Sequence, residues 1–157
     1  MDCAMYVAGP VAASRGNKVA TVDTTPNYEL AFTMELASDG STAGWRSILH
    51  IGNSNSHQRV PGIWFRGGTN QMWVWNRPSR GSPNKYFKSS INLAAGKTYE
   101  VKLVVEGTRM TLYVDGVARG SKRGIATAAA TDASVYVGNP WYAAADVTLS
   151  DICLKAL

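Results

Sequence analysis

Apolar and polar residues alternate along most of this chain in short runs, and clusters of Gly, Pro, Asn, Asp and Ser separate the runs. A period of two is the pattern of half-buried strands. It predicts strands at 4–8, 18–23, 28–37, 45–52, 60–66, 71–76, 86–91, 98–106, 109–115, 117–120, 133–138 and 146–155. No stretch carries a helical repeat. The segment 126–131 (ATAAAT) is too short for one and reads as a loop or a single turn. Many short strands at this spacing predict an antiparallel sandwich or barrel, without internal repeat or linker.

Two hairpins have a register that follows from counting. Gly107-Thr108 as a two-residue turn sets Glu106 opposite Arg109, Val105 opposite Met110, Leu103 opposite Leu112 and Val101 opposite Val114. Apolar residues then meet apolar ones at every second position, and Lys102, Val104, Thr111 and Tyr113 take the other face. Asp115-Gly116 is the favoured pair for a further tight turn.

The second hairpin bears on function. A loop at Gly68-Thr69 pairs Phe65 with Met72 and Ile63 with Val74 on a core face. It pairs Trp64 with Trp73 on the opposite face, with Arg66 beside Gln71 and Trp75 one step further along. In the preceding strand Trp45, Leu49 and Ile51 share one parity, and Arg46 and His50 share the other. Joined as a meander, these strands gather His50, Trp64, Arg66, Trp73 and Trp75 on one outer face. In the alternative, a second layer or a long loop covers the tryptophans as core.

Composition sharpens this. The chain has 157 residues, is 45% hydrophobic and carries a net charge of +5, which fits one globular domain over 1–157. Between Gly40 and Tyr99 there is no Asp or Glu, while Arg46, Arg59, Arg66, Arg77, Arg80, Lys85, Lys88 and Lys97 all fall there. Four of the five tryptophans share the window. A basic, Trp-rich block favours an anionic or polyhydroxylated partner. The plainer reading is a solvated basic face over core tryptophans. No apolar run reaches the length of a membrane span. Residues 1–14 lack a basic region before an apolar stretch and do not read as an intact signal peptide, so a mature chain after cleavage or a chain begun at Met1 both fit.

Catalytic patterns are absent. His50 and His57 have no nearby carboxylate, and no nucleophile elbow occurs. Glycoside hydrolysis needs two carboxylates in one cleft, and the acid-free segment supplies none. Glu29 and Glu35 share a strand face and read as solvated or ion-paired. No metal site is expected. Asp39-Gly40 and Asp132 lie in turn-like segments that leave a calcium ion as the one conceivable cofactor, though calcium wants about 6–8 oxygen ligands. Gly67-Gly68 is accounted for by its turn.

Cys3 and Cys153 lie near opposite ends of the chain. Termini of a compact domain often lie close together, so a disulfide can join them; two buried thiols in a reducing compartment are the alternative. No Asn-x-Ser/Thr sequon occurs.

The stretch Gly96-Lys-Thr-Tyr-Glu-Val-Lys-Leu-Val-Val, followed by Met110-Thr-Leu-Tyr-Val-Asp-Gly116, resembles the laminin-G-like and concanavalin-A-like jelly-roll domains. Val135-Tyr-Val-Gly-Asn139 and Leu149-Ser-Asp-Ile are similar to their penultimate and last strands, and Ile48-Leu-His-Ile-Gly52 to an early strand ending in Gly. The resemblance covers residues 28–157. It implies an all-β fold of two antiparallel sheets in a curved jelly-roll sandwich. It also implies glycan binding, cell adhesion or matrix contact. The Glu-x-Asp-x-x-Glu strand of glucanase relatives and the acidic metal site of legume-type lectins have no counterpart here, which points to binding and away from hydrolysis.

The expectation is therefore a non-enzymatic, lectin-like or adhesion module, outside the cell or at its surface. Its partners are glycans, sulfated or sialylated ones among them, or a cell-surface or matrix protein; neither nucleic acid nor a membrane span is expected. Trp64, Arg66, Trp73 and Trp75 are the first candidate ligand residues. His50, Arg59, Asn76, Asn139, Trp141 and Tyr142 follow, the last three because Asn139-Pro-Trp-Tyr reads as an exposed aromatic loop. The alternative function is a structural subunit of an extracellular or surface assembly, using the same aromatic face against protein. A degenerate hydrolase is a third class.

Overall fold

The computed structural model describes residues 2–38 and 44–157. Its strands are β1 (Met5–Val7), β2 (Val11–Ala12), β3 (Lys18–Val22), β4 (Tyr28–Leu36), β5 (Trp45–Ile51), β6 (Arg59–Arg66), β7 (Met72–Arg77), β8 (Lys85–Lys88), β9 (Lys97–Glu106), β10 (Arg109–Val114), β11 (Val117–Arg123), β12 (Ala133–Val137) and β13 (Val147–Ala156). Every strand expected from the alternation is present, and 126–131 is an irregular connection. The short β2, which the pattern does not announce, adds to the edge of β13.

The strands form two antiparallel sheets. One runs β1-β13-β4-β9-β10-β11, with β2 also on β13; the other runs β3-β12-β5-β6-β7-β8. Alternation decides which side chains lie between them. Leu30, Phe32, Met34 and Leu36 of β4 and Val101, Leu103 and Val105 of β9 face inward from the first sheet. Ile63 and Phe65 of β6 and Met72 and Val74 of β7 meet them from the second. Burial of each such side chain is worth roughly 1.5–3 kcal/mol, so the sandwich is held chiefly by this layer.

Both hairpin registers stand as counted. Glu106 pairs with Arg109, Val105 with Met110, Leu103 with Leu112 and Val101 with Val114. Ile63 pairs with Val74, Trp64 with Trp73 and Phe65 with Met72. Asp115 and Gly116 both adopt positive φ, 50° and 79°, as a mirror-image tight turn between right-twisted strands requires.

Cys3 and Cys153 form a disulfide, with Cα atoms 5.4 Å apart. It ties the segment before β1 to β13, beside the antiparallel pairing of Tyr6 with Cys153. A bridge that closes a loop with a sequence separation of 150 restricts the unfolded chain strongly. In the chain-entropy account it adds on the order of 4–5 kcal/mol. Replacing both cysteines by alanine is expected to lower unfolding stability by about that amount in a urea titration. The oxidised protein, alkylated without reduction, should gain no alkyl mass. Two alkylated thiols would show the bridge does not form.

Candidate functional site

The site is the outer face of the β5-β6-β7-β8 meander. The β6-β7 hairpin puts Trp64 and Trp73 there as neighbours, and Trp75 sits between Gly62 of β6 and Tyr86 of β8. Two bulges then add residues that simple alternation would send inward. In β5 the pairing steps from Ser47 opposite Trp64 to Leu49 opposite Ile63, which leaves one extra residue. Trp45, which shares the parity of Leu49 and Ile51 in sequence, therefore lies beside Arg66 on the outer face. In β6 the pairing steps from Arg59 opposite Arg77 to Gly62 opposite Trp75, and this brings Arg59 to the face of Trp75. Bulges reverse the facing of everything beyond them, which is why they recur at binding sites. The doublet Ile48-Leu49 and the run Val60-Pro61-Gly62 are their sequence signals.

The rings form a corner. Trp73, Trp75 and Tyr86 lie with planes 23–28° apart and centroids 5.2–5.8 Å apart. Trp45 stands across them, at 88° to Trp73 and 81° to Trp75. Arginines flank both ends. Arg66 lies 5.8 Å from the centroids of Trp45 and Trp73, and Arg59 lies 5.9 Å from Trp64 and 5.5 Å from Trp75. Trp45, Trp73 and Trp75 are half-buried, and Tyr86 is 50% exposed. Between Trp45, Arg59, Trp64, Trp75 and Tyr142 there is a small pocket of about 90 Å³.

A loop covers part of this face. After β12 the chain folds outward through residues 139–145 and returns to β5, where Ser47 N–H donates to Ala143 O and Ala145 N–H donates to Ser47 O, both at 2.9 Å. Tyr142 packs edge-on against Trp64 at 4.7 Å, and Trp141 against His50 at 5.2 Å. Trp64 is left only 3% exposed and His50 fully buried. The two sequence alternatives thus divide the face: the loop makes Trp64 a buried wall and leaves Trp45, Trp73 and Trp75 open.

Several expected ligand residues are corrected by this packing. His50 lies beneath Trp141 with no surface to offer. Asn139 is buried because its Oδ1 accepts the N–H groups of Trp141 at 3.0 Å and Tyr142 at 2.8 Å, which shapes the loop. Asn76 is buried because its Nδ2 donates to Ala126 O at 2.8 Å. Trp141 is 37% exposed, but it leans on Tyr136 and His50, away from the pocket lining. Arg46, which shares the parity of His50 in sequence, is turned by the β5 bulge over the Phe65 ring, and its Nη2 donates to Thr69 O. Two residues of the face were not singled out as ligands in the sequence. Trp45 is concealed by the bulge, and Tyr86 by the length of the β7-β8 connection, which defeats register counting.

Electrostatics separate the two sheets. On the outside of the first, Glu29 bridges Lys102 at 3.7 Å and Lys155 at 3.3 Å. Among the described residues, Arg59, Arg66, Arg77, Lys85 and Lys88 have no carboxylate partner. Arg77 is held by three backbone carbonyls, those of Ser56, Arg80 and Ser82. No group of three or more His, Cys, Asp or Glu gathers among the described residues to hold a metal. Asp39 and Gly40, half of the calcium expectation, lie outside the described residues. Asp132 is exposed, and its N–H donates to Asp23 Oδ1.

This two-sheet connectivity is a concanavalin A-like jelly roll. The chain belongs to the Laminin_G_3 family of the concanavalin A-like lectin/glucanases superfamily, whose family model matches residues 12–152. No curated protein matches it. Among solved structures the chain is similar to Trypanosoma rangeli sialidase, with a TM-score of 0.59 and 20% identity over 83% of this chain and 21% of that one. It is similar to the native heptameric SAP-like pentraxin of Limulus polyphemus, with a TM-score of 0.60 and 15% identity over 93% and 76%. It is also similar to the carbohydrate binding module CBM66 from Bacillus subtilis, with a TM-score of 0.61 and 8% identity over 98% and 97%. The chain spans about a fifth of the sialidase. At these identities the likeness is one of fold.

Burial, and then the positive charge of Arg59, push the His50 imidazole down to about 4 from its ordinary 6.5. Between these values the unfolded chain binds a proton that the folded chain excludes. Stability from this group is full above pH 6.5 and falls as pH drops through the window, by on the order of 3 kcal/mol in all. Melting temperature should therefore decline between pH 7 and pH 4.5, and His50→Gln should flatten the decline over that range. An unchanged slope in the variant would assign the acid sensitivity to other groups.

Proposed function

We propose that this chain is a non-catalytic, lectin-like carbohydrate-binding module acting outside the cell, with the outer face of β5–β8 as its glycan platform. The observation that carries this reading is the open aromatic corner of Trp45, Trp73, Trp75 and Tyr86 flanked by Arg59 and Arg66. Leaving large rings half-open to water forgoes burial energy, and contiguous aromatic patches of this kind mark interaction sites. A sugar presents apolar C–H faces and a rim of hydroxyls. Aromatic faces meet the first, and arginine donors meet the second.

The family and the similar module from Bacillus subtilis, a carbohydrate binding module by its title, support the same reading. The disulfide fits an oxidising compartment, and no helix is long and apolar enough to cross a membrane. The unpaired cations bias the platform towards anionic glycans, sulfated or sialylated ones included. Adhesion follows where the glycan is borne by a cell-surface or matrix protein. Hydrolysis does not fit this reading of the site, because the described residues of the pocket walls include no carboxylate and glycosidases use two.

Trp73 and Trp64 are paired across the strands, yet one is half-open and the other buried, which makes them a test. Trp73→Ala is expected to weaken glycan binding by about 1–3 kcal/mol, as loss of aromatic stacking on a flat ligand does. Its cost in stability should be smaller than that of Trp64→Ala, for which about 3–5 kcal/mol is expected. Glycan-array binding and chemical unfolding of both variants measure this. Full binding by Trp73→Ala would remove the platform from its role. Concentration-dependent self-assembly through the same face would favour the structural-subunit reading. Incubation with polysaccharides should release no reducing ends; turnover abolished by a single Asp or Glu substitution would overturn the non-catalytic assignment.

A further inference from the structure

We infer that the pocket between Trp45, Arg59, Trp64, Trp75 and Tyr142 is an acid subsite, which takes the carboxylate or sulfate of one sugar residue against the guanidinium of Arg59. This rests on the glycan platform proposed above and specifies which end of it reads charge. Arg66 at the other end is exposed, where a cation is solvated and discriminates little. Arg59 differs in every respect that matters.

Arg59 is partly buried, and its cross-strand partner is another cation, Arg77. Like charges directly opposite each other destabilise a sheet, and partly buried charges are ordinarily paired. Here no carboxylate answers them among the described residues. Arg77 spends its donors on the carbonyls of Ser56, Arg80 and Ser82. Arg59 gives only Nε, to Asn55 O at 2.5 Å, so its two Nη groups make no hydrogen bond to the described residues. That single bond holds the side chain between the rings of Trp64 and Trp75, which form the pocket walls.

A buried polar group without a partner lies beside it. Trp64 Nε1–H is buried without an acceptor. It can lie where it does because residue 62 is glycine: a Cβ there would meet Nε1 at 3.0 Å and the Arg59 stem at 3.6 Å. An anion entering this pocket supplies the missing countercharge. A planar carboxylate or a tetrahedral sulfate can bridge the free Nη groups, as guanidinium forks do. At about 90 Å³ the space is below the size of ordinary ligand pockets and admits the acid group alone, with the sugar ring directed out over Trp75 and Trp73.

The test uses glucose, glucuronate, N-acetylneuraminate and glucose 6-sulfate as probes, read by tryptophan fluorescence and by amide shifts at low salt. The wild type should bind the acidic sugars about ten-fold more tightly than glucose, as a hydrogen-bonded charge pair implies. Arg59→Gln should collapse that ratio towards one. Lys155→Gln removes the same formal charge from the opposite sheet and should leave the ratio unchanged. If Arg59→Gln does not fold, as judged by near-ultraviolet circular dichroism, Arg59→Lys keeps charge without the fork and should lower the ratio several-fold. Glucuronate against glucose 6-sulfate separates the two acid sources. Glucose binding without acidic preference, or a preference that survives both Arg59 variants, overturns the acid subsite and leaves the glycan platform standing. Failure of every sugar to bind overturns both.

Discussion

A pleated strand offers each face only every second side chain, and the site depends on how this chain departs from that rule. Under strict alternation Trp45 and Arg59 would point between the sheets. Trp45 would then enter a layer filled by Leu49, Ile63 and Phe65, and Arg59 would put a charge there. The bulge before Leu49 and the bulge before Gly62 reverse the facing of both residues without disturbing the core residues that follow. One extra residue in each strand therefore converts a two-tryptophan hairpin face into an aromatic corner with an arginine in its wall. The opened backbone at the β5 bulge is also where the 139–145 loop docks, through both polar backbone atoms of Ser47.

Much of the fold was legible because its determinants are local. The β9-β10 and β6-β7 registers follow from side-chain period and turn length, and both hold residue for residue. Turn chemistry at Asp115-Gly116 is equally local. The pairing of Trp64 with Trp73 came from the same counting. The bulges were not legible by counting, since a bulge is settled by the partner strand. Their traces, an apolar doublet in β5 and Pro-Gly in β6, do not say which residue turns. The fate of His50, Asn76 and Asn139 was hidden for a different reason. Each is polar and falls in a strand end or loop, where exposure is the default. His50 and Asn76 are buried by contacts far away in sequence, with Trp141 and Ala126, and Asn139 by a turn that its own side chain closes onto Trp141 and Tyr142.

The energetics of the two outer faces run in opposite directions. On the first sheet Glu29 lies between Lys102 and Lys155 and offsets part of their charge, an arrangement worth little in water. On the second, cations gather over aromatic rings without acids among the described residues, and two arginines face each other across strands. Cation–π contact at 5.5–5.9 Å offsets part of that repulsion and holds the guanidinium groups near the rings. The disulfide and the dense apolar layer supply stability elsewhere. An outer face that is imperfectly satisfied is therefore tolerated, as is usual where stability and function compete.

The rings of the corner also pack against one another. Trp45 is wedged edge-on against Trp73 and Trp75, Tyr142 holds Trp64 in the same way, and Tyr86 lies along Trp75. Each ring limits the rotamers of its neighbours, so little side-chain freedom remains to be lost on contact. Binding by such a surface avoids the ordering cost of roughly 0.5–1.5 kcal/mol for each side chain immobilised at an interface. That matters most for a shallow site, where contact area is small and each unit of ordering cost removes a large share of the affinity. The loop that buries His50 and Trp64, shaped by Asn139, thus acts on the proposed platform through packing alone. It converts two residues of an open sheet face into fixed support for the rings that remain exposed.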